Sequence, residues 1–410
     1  MKTLKTTFLF SIILISFQIM AQNSDNLALT PPMGWNSWNC FQTKIDEKQI
    51  KEIADAMVSS GLKDAGYIYL NLDDCWMSKK RDENGRLQSD SVRFPSGMKA
   101  LAEYVHSKGL KFGIYTAAGN CTCAKGNFPA SWGNEDLDIQ TFGSWGVDYV
   151  KVDRCKVPKG FDEVKIQQYA LFSKAISKYN RPMIYSVCCP GIDACDWAPK
   201  FAQLWRTNTD IGQFWYTPVH DKAKWSHIGV DEIIDINTDL RKYAKPGRWN
   251  DPDMLQVGNG NLTPAENRAH FSIWAMLAAP LIAGNDLRKM KETTKEILTN
   301  KIVIAVDQDS LGIQALKYKT IDSIDVWIKP LQHKKWAICF LNRARMAKML
   351  KYNWKEHIIY DDLSKREFNT RKTEYKLIDV WTNKQSGTTK KNLNTELVSH
   401  DVLMFLLIEK

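Results

Sequence analysis

Short apolar runs alternate with amphipathic helical runs about eight times over roughly 280 residues, and this alternation limits the fold more than any other feature of the chain. Strands are expected within 31–39 and in 67–72, 111–115, 147–152, 182–186, 204–206, 248–255 and 281–283. Helices are expected in 48–60, 98–108, 135–145, 166–179, 230–242, 264–279 and 293–299. In the first of these, Ile50, Ile53, Ala54, Met57 and Val58 share one face and Gly61 ends the helix. A strand that always meets a helix before the next strand makes a parallel sheet, and eight such units close into a (β/α)8 TIM barrel. A doubly wound open sheet is the alternative. It loses ground as a dinucleotide binder because no Gly-x-Gly-x-x-Gly turn follows the first strand.

From residue 315 the texture changes. Ile324, Val326 and Ile328 alternate with other residues, as do Trp336, Ile338 and Phe340, and 377–382 and 397–408 are further strand candidates. Period-two patterning without helical periodicity implies an antiparallel β-sandwich packed on the barrel. The α/β expectation is therefore a leader in 1–21, a barrel in 22–314 and a C-terminal sandwich in 315–410. The leader has Lys2 and Lys5, then the apolar run 8–15, then Met20-Ala21 before Gln22. That is an export signal, too short to span a membrane, and the mature protein is expected in the periplasm or secreted.

The formal net charge is +10, but the lysines are dispersed and no arginine block stands out, which argues against nucleic acid. Fifteen tryptophans fit carbohydrate, whose C–H faces stack on aromatic rings, and fit core packing equally well. Eight of nine cysteines fall between Cys40 and Cys195. Cys121, Cys123, Cys188 and Cys189 have no histidine close by, so thiols in an exported chain point to oxidation rather than zinc. No cofactor is implied, and no feature sets an oligomeric state.

The strand ends carry the chemistry. Trp38 follows the first, Asp73 and Asp74 the second, and Tyr115 ends the third. Lys151 and Asp153 end the fourth, Cys188 follows the fifth, Arg206 and Asp210 go with the sixth, and Asp253 with the seventh. A single carboxylate at a strand end is a cap or a solvated turn, but five carboxylates converging with Lys, Arg, Trp and Tyr form a site. With no histidine there, a Ser–His or Cys–His nucleophile lacks its base. Lys151 and Arg206 would oppose a bound cation. Paired carboxylates with an aromatic platform match glycoside hydrolysis. Lys151 is expected to keep Asp153 ionised as nucleophile by charge pairing, and Asp210 to be the acid, its pKa raised by Asp153 and by partial burial once substrate closes the pocket.

At Met33-Gly34-Trp35-Asn36-Ser37-Trp38, Leu72-Asp73-Asp74-Cys75-Trp76, Tyr149-Val150-Lys151-Val152-Asp153-Arg154-Cys155, Trp205-Arg206-Thr207-Asn208-Thr209-Asp210 and Asn250-Asp251-Pro252-Asp253 the chain resembles glycoside hydrolase family 27, the alpha-galactosidase (melibiase) family. The resemblance runs in order from residue 27 to 315 and more weakly to the end. It implies a barrel with a β-sandwich and hydrolysis of terminal α-D-galactosides with retained configuration. It makes Asp153 the nucleophile and Asp210 the acid/base, puts Asp73, Asp74, Lys151 and Arg206 on sugar hydroxyls, and sets Trp38 under the ring. It pairs Cys123 with Cys155 and makes Cys40 with Cys75 a second bridge.

One stretch departs from the pattern. Where the family usually reads Cys-Glu-Trp after the fifth strand, this chain reads Val187-Cys188-Cys189, with Gly191 beyond. Small residues there go with acceptance of a 2-acetamido group in the family. The expectation is an α-galactosidase with a widened 2-position. An N-acetyl-α-galactosaminidase, a β-L-arabinopyranosidase or an isomaltodextranase-like enzyme stands as alternative within the family. A carbohydrate-binding barrel without activity is the reading from another class.

Overall fold

The computed structural model describes residues 26–179, 181–218 and 227–410. The expected leader lies outside the described residues. Eight parallel strands follow in chain order: β1 Met33–Asn36, β2 Tyr69–Leu72, β3 Lys111–Ala117, β4 Tyr149–Asp153, β5 Ile184–Cys188, β6 Leu204–Arg206, β7 Trp249–Asp251 and β8 Leu281–Ala283. The sheet runs from β7 through β6, β5, β4, β3, β2 and β1 to β8. It closes past the end of β7, where Leu255 N–H donates to the Ile282 carbonyl at 2.7 Å and Leu255 bridges Ala283 in parallel. The short strands are buried on both faces, as parallel strands under helices must be.

Helices Glu47–Ser59, Gly97–Ser107, Glu135–Trp145, Phe161–Lys178, Val230–Asn237 and Pro264–Leu277 separate the strands. Asp46 caps the first by accepting from Gln49 N–H. Thr263 and Glu266 form a reciprocal capping box on the last, which is buried along most of its length. That burial has a cause on each side: the barrel lies under one face, and Lys329 of the second domain donates to the Ala275 carbonyl on the other. The sequence reading missed helix Lys301–Asp307, which is short and carries no polar stripe.

From Leu316 onward a six-stranded antiparallel sheet and two two-stranded ribbons enclose a second core around Val326, Ile338, Phe340, Trp354 and Phe368. The expected 397–408 strand is two strands, Leu393–Leu397 and Val402–Glu409, broken at His400, whose φ is +56°. Among the described residues no helix is long and apolar enough to cross a membrane.

Candidate active site

One cavity opens at the C-terminal ends of the barrel strands. It is lined by Trp38, Asn39, Asp73, Asp74, Tyr115, Cys123, Lys151, Asp153, Arg206, Asp210, Asp253 and Met254. Every residue that the strand ends were expected to deliver is there except Cys188 and Gly191.

Asp153 is the last residue of β4, so its side chain leaves the sheet at the mouth. Tyr115, across from Lys151 on β3, donates its hydroxyl to Asp153 Oδ2 at 2.9 Å, and Arg154 N–H donates to Oδ1 at 2.8 Å. The carboxylate is thus oriented by two donors. Burial pushes its pKa above the ordinary range, Lys151 opposes this, and the charge of Asp210 adds to it. The pairing of Lys151 with Asp153 expected from the sequence is not a direct contact. Lys151 Nζ donates to Asp73 Oδ2 at 2.9 Å, and it acts on Asp153 through its field alone. Asp73 Oδ2 also accepts from Asn36 Nδ2 at 2.8 Å, a contact the sequence reading did not foresee. The side chain of Arg154 turns away, to Asp162 at 2.7 Å.

Arg206, at the end of β6, is buried and forks between two carboxylates. Its Nη2 lies 3.2 Å from Asp210 Oδ1 and 3.0 Å from Asp253 Oδ2. In the substrate-free site these contacts set the charge of Asp210. Burial pushes Asp210 up, but Arg206, Lys151 and His227 together outweigh it and hold the carboxyl below the ordinary range. Asp253 moves the other way, to about 6, because burial outweighs the same guanidinium. Two carboxylates on one Arg titrate as a pair. Asp253 sits at φ +84°, a strained backbone for a non-glycine residue, held by Met254 N–H and Ile211 N–H on its two oxygens. Asp251, two residues earlier, is a half-buried carboxylate under Arg206 that the sequence reading quoted within its motif and passed over. Its spacing from Asp253 was the available signal, since alternate residues of an extended segment share a face.

Asp74 is buried, and its pKa is pushed up to about 6 by that burial. Its Oδ2 accepts from Ala124 N–H at 2.9 Å, which ties the loop after β3 to the site. The Cys123–Cys155 disulfide clamps the same loop to the segment after Asp153. The two stretches approach so closely that a Cβ on Gly119 would lie 1.9 Å from the Cys155 carbonyl oxygen. Among the described residues, the trio with metal-ligating geometry is Cys123, Asp153 and Cys155, and both of its sulfurs are in this bond. The bridge closes a 32-residue separation. Reduction, or Cys155→Ser, is therefore expected to lower unfolding stability by about 2–4 kcal/mol and to impair turnover. Thermal melts with and without reductant, alongside mass-spectrometric thiol counts, check this, and two free thiols in the untreated protein would refute it.

The second expected bridge is absent. Cys40 and Cys75 are both free thiols. Cys40 is near Asp286 and Arg288, whereas Cys75 is near Asp74 and Arg93, so the two sulfurs belong to different surroundings. Cys121, Cys188, Cys189 and Cys195 are likewise unbonded. Cys188 ends β5 buried behind Arg206, whose Nη1 reaches its sulfur at 3.8 Å. Gly191 turns the chain at φ +145°, and a Cβ there would meet Asp193 Oδ1 at 2.7 Å rather than the cavity. Neither residue lines the cavity.

Comparison with known proteins gives a consistent picture. The family described as Alpha galactosidase A matches residues 30–309, and the Alpha galactosidase C-terminal beta sandwich domain matches 321–407. The chain is 48% identical to Alpha-galactosidase A of Cellvibrio japonicus over 400 residues, covering 97% of both chains. It is 42% identical to Alpha-galactosidase 2 of Arabidopsis thaliana, covering 96% of this chain and 93% of that one. Among solved structures, alpha-galactosidase I from Mortierella vinacea superposes with a TM-score of 0.86 at 33% identity, covering 94% of this chain and 98% of that one.

Proposed function

The chain belongs to the alpha-galactosidase family, glycoside hydrolase family 27, and from that premise we propose that it hydrolyses terminal α-D-galactosides by double displacement at Asp153 and Asp210. The observation that carries this reading is the convergence of two carboxylates on one cavity, Asp153 aligned by Tyr115 and Asp210 held by Arg206.

In the first step an Asp153 oxygen attacks the anomeric carbon while the bond to the leaving oxygen breaks. Asp210 gives that oxygen its proton. In the second, water attacks the same carbon, Asp210 takes the water's proton, and the bond to Asp153 breaks. Two inversions retain the configuration. Asp210 needs a proton before the first step. A sugar would cover the Asp210 side chain, which is 37% exposed, and strip water from it. Desolvation disfavours its charge, while Arg206 stays with the more buried Asp253, so Asp210 takes up its proton as substrate binds. Trp38 would stack under the ring, with Asp73, Asp74 and Lys151 on its hydroxyls. We take 22–314 as the catalytic unit, 315–410 as the supporting sandwich, and the leader as grounds for export to the periplasm or medium.

The test is a panel of aryl glycosides: α-galactoside, N-acetyl-α-galactosaminide, β-L-arabinopyranoside and α-glucoside, with the product anomer followed by NMR. With Cys188 covered and Gly191 turned away, kcat/KM is expected to favour the α-galactoside over the acetamido sugar by more than about a hundredfold. Comparable use of both would put the widened pocket back in place. Inversion at the anomeric carbon would end the double-displacement reading.

A further inference from the structure

The segment after Asp210 is held from two sides. On the barrel side it is laced to the start of helix Val230–Asn237: Ile228 N–H donates to the Asp210 carbonyl at 3.0 Å, Gly212 N–H to the Ile228 carbonyl at 2.8 Å, and Asp231 N–H to the Trp215 carbonyl at 3.1 Å. Gly229 permits the approach, since a Cβ there would lie 2.3 Å from the Trp215 carbonyl oxygen.

On the other side the grip comes from the C-terminal domain. The His400 ring stacks on Trp215, with centroids 5.1 Å apart and planes 13° from parallel. Its Nε2 lies 2.8 Å from the Tyr216 hydroxyl, which is also 3.0 Å from the Arg343 carbonyl oxygen. Its Nδ1–H donates to Glu266 Oε1 at 2.7 Å. Glu266 cannot swing, because its other oxygen accepts from Thr263 N–H in the capping box. Arg343 adds a second tie through Asp231 at 2.7 Å and Asp235 at 2.8 Å, both on helix Val230–Asn237. The left-handed backbone at His400 aims the ring at this contact.

We propose that His400 is a positioning residue for the proton-transfer step: the C-terminal domain uses it to fix the Trp215-Tyr216 segment and, through that segment, the angle at which Asp210 meets the leaving oxygen. This rests on Asp210 being the acid/base. Misplacing an acid costs most where the leaving group needs a proton, whereas loss of mere interdomain adhesion lowers stability and leaves the substrate dependence alone.

The experiment uses the full chain and two substrates, an α-galactoside of dinitrophenol and an alkyl α-galactoside. Asn at 400 suits the left-handed backbone and reaches about as far as Nδ1, so it keeps Glu266 and loses Tyr216. Gln reaches to the position of Nε2 and keeps Tyr216. His400→Asn is expected to lower kcat/KM, which reports the leaving-group step, about tenfold on the alkyl substrate, with kcat/KM on the dinitrophenyl substrate within about twofold. His400→Gln should recover part of that loss. Tyr216→Phe, which removes one hydroxyl, should show the same split at about threefold and serves if the His400 variants do not fold. Equal losses on both substrates, or a lowered melting temperature with unchanged kinetics, overturn the inference. Asp210→Asn is the control. If it shows the leaving-group split and the His400 and Tyr216 variants do not, this inference alone fails. If Asp210→Asn shows none, the acid assignment falls and takes this inference with it.

Discussion

Asp153→Asn is expected to lower kcat on an aryl α-galactoside by at least about 10⁴-fold, a barrier increase of more than 5 kcal/mol. The side chain would still fill its place between the Tyr115 hydroxyl and the Arg154 N–H, so the fold has little reason to change. What goes is the anionic oxygen that bonds to the anomeric carbon, and a neutral amide cannot form the glycosyl ester. The amide also rearranges the field, since it removes the charge that Lys151 acts on and that adds to burial in raising Tyr115 far above its usual range. The check is steady-state kinetics with a melt of the same preparation. A variant that melts like wild type and keeps more than about a hundredth of its rate would move the nucleophile elsewhere in the cavity.

The sequence reading was strongest where one local period decides the structure. Alternation of short apolar runs with helical stripes suffices for a parallel barrel, and a carboxylate in the last position of β4 lands at the mouth by strand geometry alone. It was weaker wherever a residue had two candidate partners. Lys151 lies two residues from Asp153, so pairing those two was the natural choice. Yet side chains leaving β4 reach across β3, and Asp73 sits there with Asn36 already fixing one of its oxygens. The same holds for Arg206. Its distance of four residues from Asp210 is visible in the sequence, but its second partner Asp253 comes from 47 positions on, and sharing between them helps set the opposite shifts of the two carboxyls. The cysteines fail for a related reason. Composition says only that bridges are favoured in an exported chain. Which sulfurs meet depends on loop paths, and the path that brings Cys123 to Cys155 leaves Cys40 beside Asp286 and Cys75 beside Asp74.

Asp210→Asn should separate substrates by leaving group, in contrast to the uniform loss at Asp153. An amide at 210 can neither give a proton in the first step nor take one in the second. With a dinitrophenyl α-galactoside the departing oxygen needs no proton, so the glycosyl-enzyme forms quickly and then waits for water that nothing deprotonates. A burst of phenol followed by a slow steady state is the expected trace, with the ester at Asp153 trapped and visible by mass spectrometry. With an alkyl α-galactoside the first step itself stalls, and kcat/KM should fall by about 10³-fold or more. Added azide should speed the second step for the activated substrate, since it attacks without base help, and should yield the retained galactosyl azide. The substitution also relieves Arg206 of one carboxylate and leaves it wholly to Asp253, whose pKa of about 6 should then fall because it no longer competes for the guanidinium or feels the charge of Asp210. Any feature near that value in the wild-type pH profile of kcat/KM should move to lower pH in the variant. Equal losses on the two substrates, with no burst and no azide effect, would remove Asp210 from the acid/base role while leaving Asp153 untouched.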